Sequence, residues 1–235
     1  MLDVELATAC APPPAALGAR AFAADDPAAR ALLRRAQGAF QKWPEGFCGF
    51  RASVHCETSR GWISGRLAFA PPDRIEIECG DPGLRAWLRE MVRSIAADRT
   101  PRFFADGDGR FPVSFCSAVD DATGRGVDVH CPPVALRYWI DGRGRIARTE
   151  RIADGLRAVT TFDELTRATP GRVLPARTTT STWDLSTGVL IASETAHDSH
   201  RRFEHVWLPT SRRVSVGSGP SHTSLEFTLN DHELL

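Results

Sequence analysis

Lysine is almost missing: Lys42 stands alone among 29 basic residues, so arginine carries nearly all the positive charge. Genomic base composition produces such a skew as readily as function does. Net charge is missing as well, because 29 acidic residues balance the basic ones. That leaves no global field to draw in nucleic acid or an anionic membrane. No run approaches the ~18 to 20 apolar residues of a membrane-spanning helix, which excludes an integral helical membrane segment. The six cysteines, Cys10, Cys48, Cys56, Cys79, Cys116 and Cys131, form no C-x-x-C pair, which removes the commonest zinc and redox spacings. Most fall in strand patterns, where a buried free thiol is the plain reading. An even count leaves disulfides open.

The first twenty residues lack a basic residue before Arg20 and a sustained apolar core, so they fail as a secretory signal and the expected compartment is the cytoplasm. Leu6-Ala7-Thr8-Ala9-Cys10 loosely matches a lipoprotein cleavage box, and Ala21-Phe22-Ala23 a small-residue cleavage site. An exported or lipid-anchored protein with a truncated start is therefore the alternative. Residues 1–24 are Ala- and Pro-rich and read as a flexible arm. Residues 25–235 read as one β-rich domain, since 42% hydrophobic and 25% charged residues are ordinary for a globular chain.

Two helices are predicted. Asp26 and Pro27 open the first, which runs through Leu32, Leu33, Ala36 and Phe40 toward Trp43-Pro44 and has a narrow apolar face suited to the outside or mouth of a sheet. The second, Asp81 to Asp98, begins with Asp81 as cap and Pro82 at the first helical position. Leu84, Leu88, Met91, Val92 and Ile95 share one face at 3.6 periodicity, and Arg85, Arg89 and Arg93 form the opposite stripe. Elsewhere the period is 2. Phe50, Ala52, Val54 and Cys56 alternate with polar residues, and Ile63, Leu67 and Phe69 follow in the next strand. Ile75, Ile77 and Cys79 make the third. After Pro101, turn signals at Asp141-Gly142-Arg143-Gly144, Asp154-Gly155 and Ser186-Thr187-Gly188 space out a long meander. The total is about eleven strands: a mainly β (α+β) fold, a large curved antiparallel sheet or half-open barrel wrapped on one long helix, with an N-terminal helix.

Several stretches together resemble the domain of unknown function 3386 family over about residues 26–235. They are Gly46-Phe47-Cys48-Gly49-Phe50-Arg51-Ala52, a Gly65-centred strand, Pro71-Pro72, Leu174-Pro175, Trp183-Asp184 before Thr187-Gly188, Trp207-Leu208-Pro209 and Asn230-Asp231-His232-Glu233-Leu234-Leu235. The resemblance implies a family but no activity and no catalytic residues. The order of aromatic-x-Ala, strand, Gly, strand, Pro-Pro and strand also resembles the lipoprotein-carrier (LolA-like) half-barrel, which implies a concave sheet around helices that holds acyl chains.

Chemistry-bearing clusters are few. His197, Asp198, Ser199, His200 and His205 suggest a metal site or a hydrolase, but they are expected to flank a turn between strands and no G-x-S-x-G elbow occurs. Asp106-Gly107-Asp108-Gly109 lacks the later ligands of a calcium loop and reads as a tight turn. No cofactor and no metal is predicted. The leading expectation is a non-catalytic binding protein that holds a lipid or other hydrophobic small molecule in a cleft walled by Leu84, Leu88, Met91, Ile95, Trp62, Phe115 and Tyr138. A second is an interaction or scaffold module with a solid core, whose Arg85, Arg89 and Arg93 meet an anion or an acidic protein partner. The third is an enzyme built on His197, His200 and His205. Ligand, partner, oligomeric state and true N-terminus are not encoded in any motif.

Overall fold

The computed structural model describes residues 24–58, 61–116, 123–218 and 221–235. The arm through residue 23, with Cys10, lies outside the described residues, and so does Val119, which by its spacing is expected to share a strand face with Phe111, Val113 and Phe115. Both helices start by one device. In α1 (Pro27–Gly38) the Asp26 carboxylate accepts from Ala28 N at 2.8 Å and Ala29 N at 3.1 Å, and in α2 (Pro82–Arg99) the Asp81 carboxylate accepts from Leu84 N at 2.9 Å. Each satisfies amides that the first turn leaves without partners, and Pro27 and Pro82 have no N–H to lose. Helix α2 stops at Thr100, which is extended ahead of Pro101 because the proline ring disfavours helical backbone in the preceding residue.

The strands are β1 (Phe50–Thr58), β2 (Gly61–Ala70), β3 (Arg74–Glu78), β4 (Val113–Phe115), β5 (Arg125–Cys131), β6 (Val134–Ile140), β7 (Ile146–Ala153), β8 (Leu156–Thr169), β9 (Arg172–Asp184), β10 (Leu190–Phe203), β11 (Val206–Ser218) and β12 (Ser221–Leu234). They form one curved, unclosed antiparallel sheet in the order β3-β2-β1-β12-β11-β10-β9-β8-β7-β6-β5-β4. The meander is broken once. After β3 the chain crosses through α2 to the far edge, restarts at β4, and walks back until β12 pairs with β1. The two edges, β3 and β4, are five and three residues long, so little unpaired backbone is left for other chains to add to.

Both helices lie on one face. Phe227 is in the cluster under α2, Phe162 packs in the cluster under α1, and the cross-strand row Leu225, Val214, Ala196, Thr178, Phe162 joins them on the same side. Alternation puts charges on the other side, where Asp128, Arg137 and Glu150 stand opposite one another on β5, β6 and β7. Helix α1 begins at the β4 edge, where Asp26 N donates to Val113 O at 2.7 Å and Val113 N donates to the Asp25 carboxylate at 2.9 Å. It ends over β9, where Gln41 N donates to Val173 O and Val173 N to Ala39 O, each at 2.8 Å. Helix α2 packs on β1, β2, β3, β11 and β12.

Two expectations are corrected. The narrow face of α1 is not at the outside or mouth: Ala29, Leu33 and Ala36 are fully buried, and the two alanines let the helix backbone approach the sheet closely. His197 to His200 do not flank a turn, because they sit inside β10, whose ladder to β11 runs through them. Asp106 to Asp108 belong to short 3-10 turns, and the Asp108 carboxylate accepts from Gln37 Nε2 at 2.5 Å and Tyr138 Oη at 2.6 Å, which ties α1 to β6.

Candidate functional site

The helices meet end to end. Trp43 N, just beyond α1, donates to Arg99 O at the end of α2 at 2.8 Å, and Lys42 Nζ donates to Asp98 O. At this seam the two apolar clusters give way to polar side chains. Arg99 is only 2% exposed. Its Nη2 donates to Trp207 O at 2.9 Å, its guanidinium lies 5.6 Å from the Trp43 ring, and its Nε and Nη1 find no acceptor. Nearby, Arg212 grips Asp198 as a two-toothed fork at 2.6 and 2.9 Å, both side chains buried. Burial pulls the Arg99 guanidinium down to about 10, against the pull of Asp98 and Asp198.

Next to the seam the sheet opens. Pairing of β10 with β11 skips Thr210, since Ser199 faces Ser211 and His200 faces Pro209. Pairing of β1 with β12 leaves Asp231 and His232 opposite Ala52 alone. Such bulges put an extra residue in one strand and bend it. Pro209 has no N–H for a ladder, and Asp231 takes a left-handed φ of 51°. Two neighbouring bulges spread the strands and leave an open depression of ≈ 660 Å³ lined by His200, Arg201, Phe203, Thr210, Leu229, Asn230, Asp231 and His232. The His232 ring lies 4.5 Å from the Phe203 ring, and its Nε2 is 2.9 Å from Pro209 O, so that nitrogen donates. Burial holds the His200 imidazole down to about 4, and the Arg99 charge is the next cause.

The residues expected to wall one cleft are distributed differently. Leu84, Leu88 and Ile95 are buried against the sheet and Met91 packs beside them. The space bounded by Leu88 and Val92 of α2 and by Val54, Leu67, Ile77, Phe227 and Leu229 of the sheet has no room for a water molecule. Phe115 and Tyr138 belong to the cluster under α1, where Tyr138 is engaged with Asp108 and Arg125 stacks 3.5 Å above Phe115. Trp62 is 69% exposed on β2. Of the arginine stripe, Arg93 pairs with Glu90, Arg85 and Arg89 are half-buried, and the Arg85 Nε has no acceptor. His197 faces Arg213 across the β10–β11 ladder, His200 lines the depression, and His205 is exposed in the turn after β10, so the three do not converge. No group of three or more potential metal ligands forms among the described residues.

Sequence reasoning placed Arg99, with Arg102, only as an extension of the α2 arginine stripe, and missed Arg212, Thr210 and His232 as site residues. Two signals pointed to Thr210 and His232: a proline inside a strand pattern at Trp207-Leu208-Pro209, and the Asn-Asp pair at 230–231, a combination suited to left-handed backbone.

Three solved structures are similar over most of their length. A domain described as an outer membrane lipoprotein-sorting protein domain from Vibrio parahaemolyticus is 9% identical, with a TM-score of 0.34 and coverage of 88% of this chain and 92% of that one. MucB in the Pseudomonas aeruginosa MucA/MucB complex is 11% identical, with a TM-score of 0.25 and coverage of 86% and 93%. A second MucB structure, in complex with MucA, is 10% identical, with a TM-score of 0.23 and coverage of 86% and 92%. No curated protein matches the sequence. A family model described as Protein of unknown function (DUF3386) matches residues 24–235, and the chain therefore belongs to the DUF3386 family.

Proposed function

We propose that the protein is a non-catalytic interaction module that binds a partner polypeptide on its surface. The packing under α2 carries this reading: Leu84, Leu88, Val92 and Ile95 are buried, and the space between Leu88, Val92 and the sheet has no room for a water molecule, where a lipid carrier needs an apolar gap. Apolar surface is instead turned outward. Val189, Leu190 and Ile191 are consecutive and exposed where β9 returns as β10, and Trp62 is exposed on β2. Large apolar side chains left in water of this kind mark contact surfaces. Arg85, Arg89 and Arg93 on α2 offer guanidinium forks to acidic side chains of such a partner.

The test is affinity purification of the full chain from cross-linked source cells, beside two double variants, Leu190→Asp with Ile191→Asp and Arg85→Glu with Arg89→Glu. A partner held by the unaltered chain and lost from a folded double variant is the expected result. Retention by both variants, or a protein that purifies with stoichiometric lipid and no polypeptide, overturns it.

A second reading, a carrier of a hydrophobic small molecule, is favoured by the depression beside the seam, whose ≈ 660 Å³ is in the usual range of roughly 300–1,000 Å³ for ligand sites. Native mass spectrometry decides it: a bound mass on the unaltered chain that disappears in Thr210→Trp supports the carrier, and a bare chain removes it.

A further inference from the structure

The ladder between β11 and β12 stops short. Among the described residues it runs from Ser218 opposite Ser221 to Ser211 opposite Thr228. Beyond that point the strands separate: β11 continues from Thr210 to Val206 against β10, and β12 continues from Leu229 to Leu234 against β1. The sheet is therefore forked, and the depression opens in the fork, between Thr210 on one prong and Leu229, Asn230, Asp231 and His232 on the other. Alternate residues of a strand turn their backbone groups to the same side, so Trp207 and Pro209 present their carbonyls together. In a complete sheet a neighbouring strand would give them amides. Here side chains stand in: Trp43 Nε1 at 3.1 Å and Arg99 Nη2 at 2.9 Å reach Trp207 O, and His232 Nε2, from the other prong, reaches Pro209 O at 2.9 Å. Trp43 and Arg99 are buried, which closes the inner part of the fork, whereas His232 lies in the lining of the depression, where its bond can be exchanged. Around it, Thr210 and Asn230 carry groups that both donate and accept, the exposed Arg201 and Asp231 offset each other, and Leu229 and Phe203 add apolar surface. Such a lining, without net charge and at the place of a missing strand, matches a peptide backbone.

We propose that the fork receives an extended polypeptide segment without net charge, one of whose amides takes over the Pro209 carbonyl from His232. Pro209 has no N–H to give in return, so the segment's carbonyls are met by the Thr210 hydroxyl and the Asn230 amide, and its apolar side chains lie on Leu229 and Phe203. Such a contact rests on the reading of the protein as a polypeptide binder, and it lies at the opposite end of β10 from Leu190.

A phage-displayed library of random linear octapeptides is panned against the full chain. An enriched sequence is then synthesised with free amides and as two twins, N-methylated on alternate amides in one register or the other. The parent peptide should saturate one site in calorimetry, and one twin should bind about tenfold more weakly while the other holds, because only one row of amides faces β11. Binding should vanish in Thr210→Trp, whose indole fills the depression. It should tighten about threefold or more in His232→Phe, which keeps a ring beside Phe203 but releases Pro209 O. No enriched peptide, twins that bind alike, binding retained in folded Thr210→Trp, or unchanged or weaker binding in His232→Phe each overturns the proposal. If Thr210→Trp does not fold, the twins and His232→Phe decide. The two contacts fail separately. A cellular partner lost with Leu190→Asp and Ile191→Asp, while panning yields no fork-dependent peptide, removes the fork and leaves the surface contact standing; a fork-dependent peptide without such a partner does the reverse.

Discussion

Asp198 and Arg212 show what a charge pair means inside this sheet. Both are buried, and Arg212 Nη1 also reaches Met91 O at 3.4 Å, so the pair joins β10, β11 and α2. Asp198→Ala strands a buried cation and should cost about 3–5 kcal/mol in urea unfolding, whereas the double replacement Asp198→Leu with Arg212→Met recovers most of the loss. Retained stability in the single variant would show that water replaces the carboxylate. His200 makes a separate contribution with its own pH window. Its folded value of about 4 lies below the ordinary 6.5, so the unfolded chain binds the proton more readily. Its contribution is fully present above about 6.5, is lost as pH falls from there toward about 4, and then levels off, with a total on the order of 3 kcal/mol. His200→Gln should remove that dip from a stability profile against pH. The thiols sort by the same physics. Cys56 is buried and pushed up to about 12, while Cys48 is exposed, so a thiol reagent at mild alkaline pH should label Cys48 first and Cys56 only on unfolding.

At the scale of elements, legibility followed the strength of local signals. Asp81 and Pro82 announced α2, and five apolar residues at helical spacing announced its buried face, all of it visible in sequence. Asp81→Ala removes the carboxylate that holds Leu84 N and should lower stability by about 1 kcal/mol, measurable by thermal denaturation. The burial of α1 was not legible, because Ala29 and Ala36 contribute small areas that score as a narrow face, while their smallness is what permits close packing. His197 to His200 misled for a related reason: a polar run reads as a turn, but a bulged strand between two others can carry polar residues on both faces when Arg212 answers one of them. The candidate site was hidden by distance. Arg99 and His200 are a hundred residues apart, and only the end of α2 over β11 brings the guanidinium field to the imidazole. Neither residue has a neighbour in sequence that signals its surroundings.

For the whole molecule, the number of strands was nearly readable and their order was not. Turn signals give hairpin neighbours, and the meander from β4 to β12 follows from them. Nothing local says that β12 pairs with β1, since that contact depends on α2 carrying the chain from one edge of the sheet to the other. The order makes a measurable difference in protection. Amides of β11 and β12, paired on both sides and covered by α2, should exchange with deuterium last, and those of β4, a three-residue edge, among the first of the strands. Equal protection across the sheet would contradict the order.

The pairing of β1 with β12 also fixes a schedule for the ribosome. The segment β1 to α2 is made early, yet Phe50, Val54, Leu67 and Leu88 complete their cluster only with Phe227 and Leu229. Those two residues emerge more than a hundred positions later. For most of its synthesis the nascent chain therefore presents an amphipathic helix and three strands with an incomplete core, a state suited to capture by chaperones and exposed to aggregation. Strand β12, made after the other described strands, closes the cluster that β1 to α2 began.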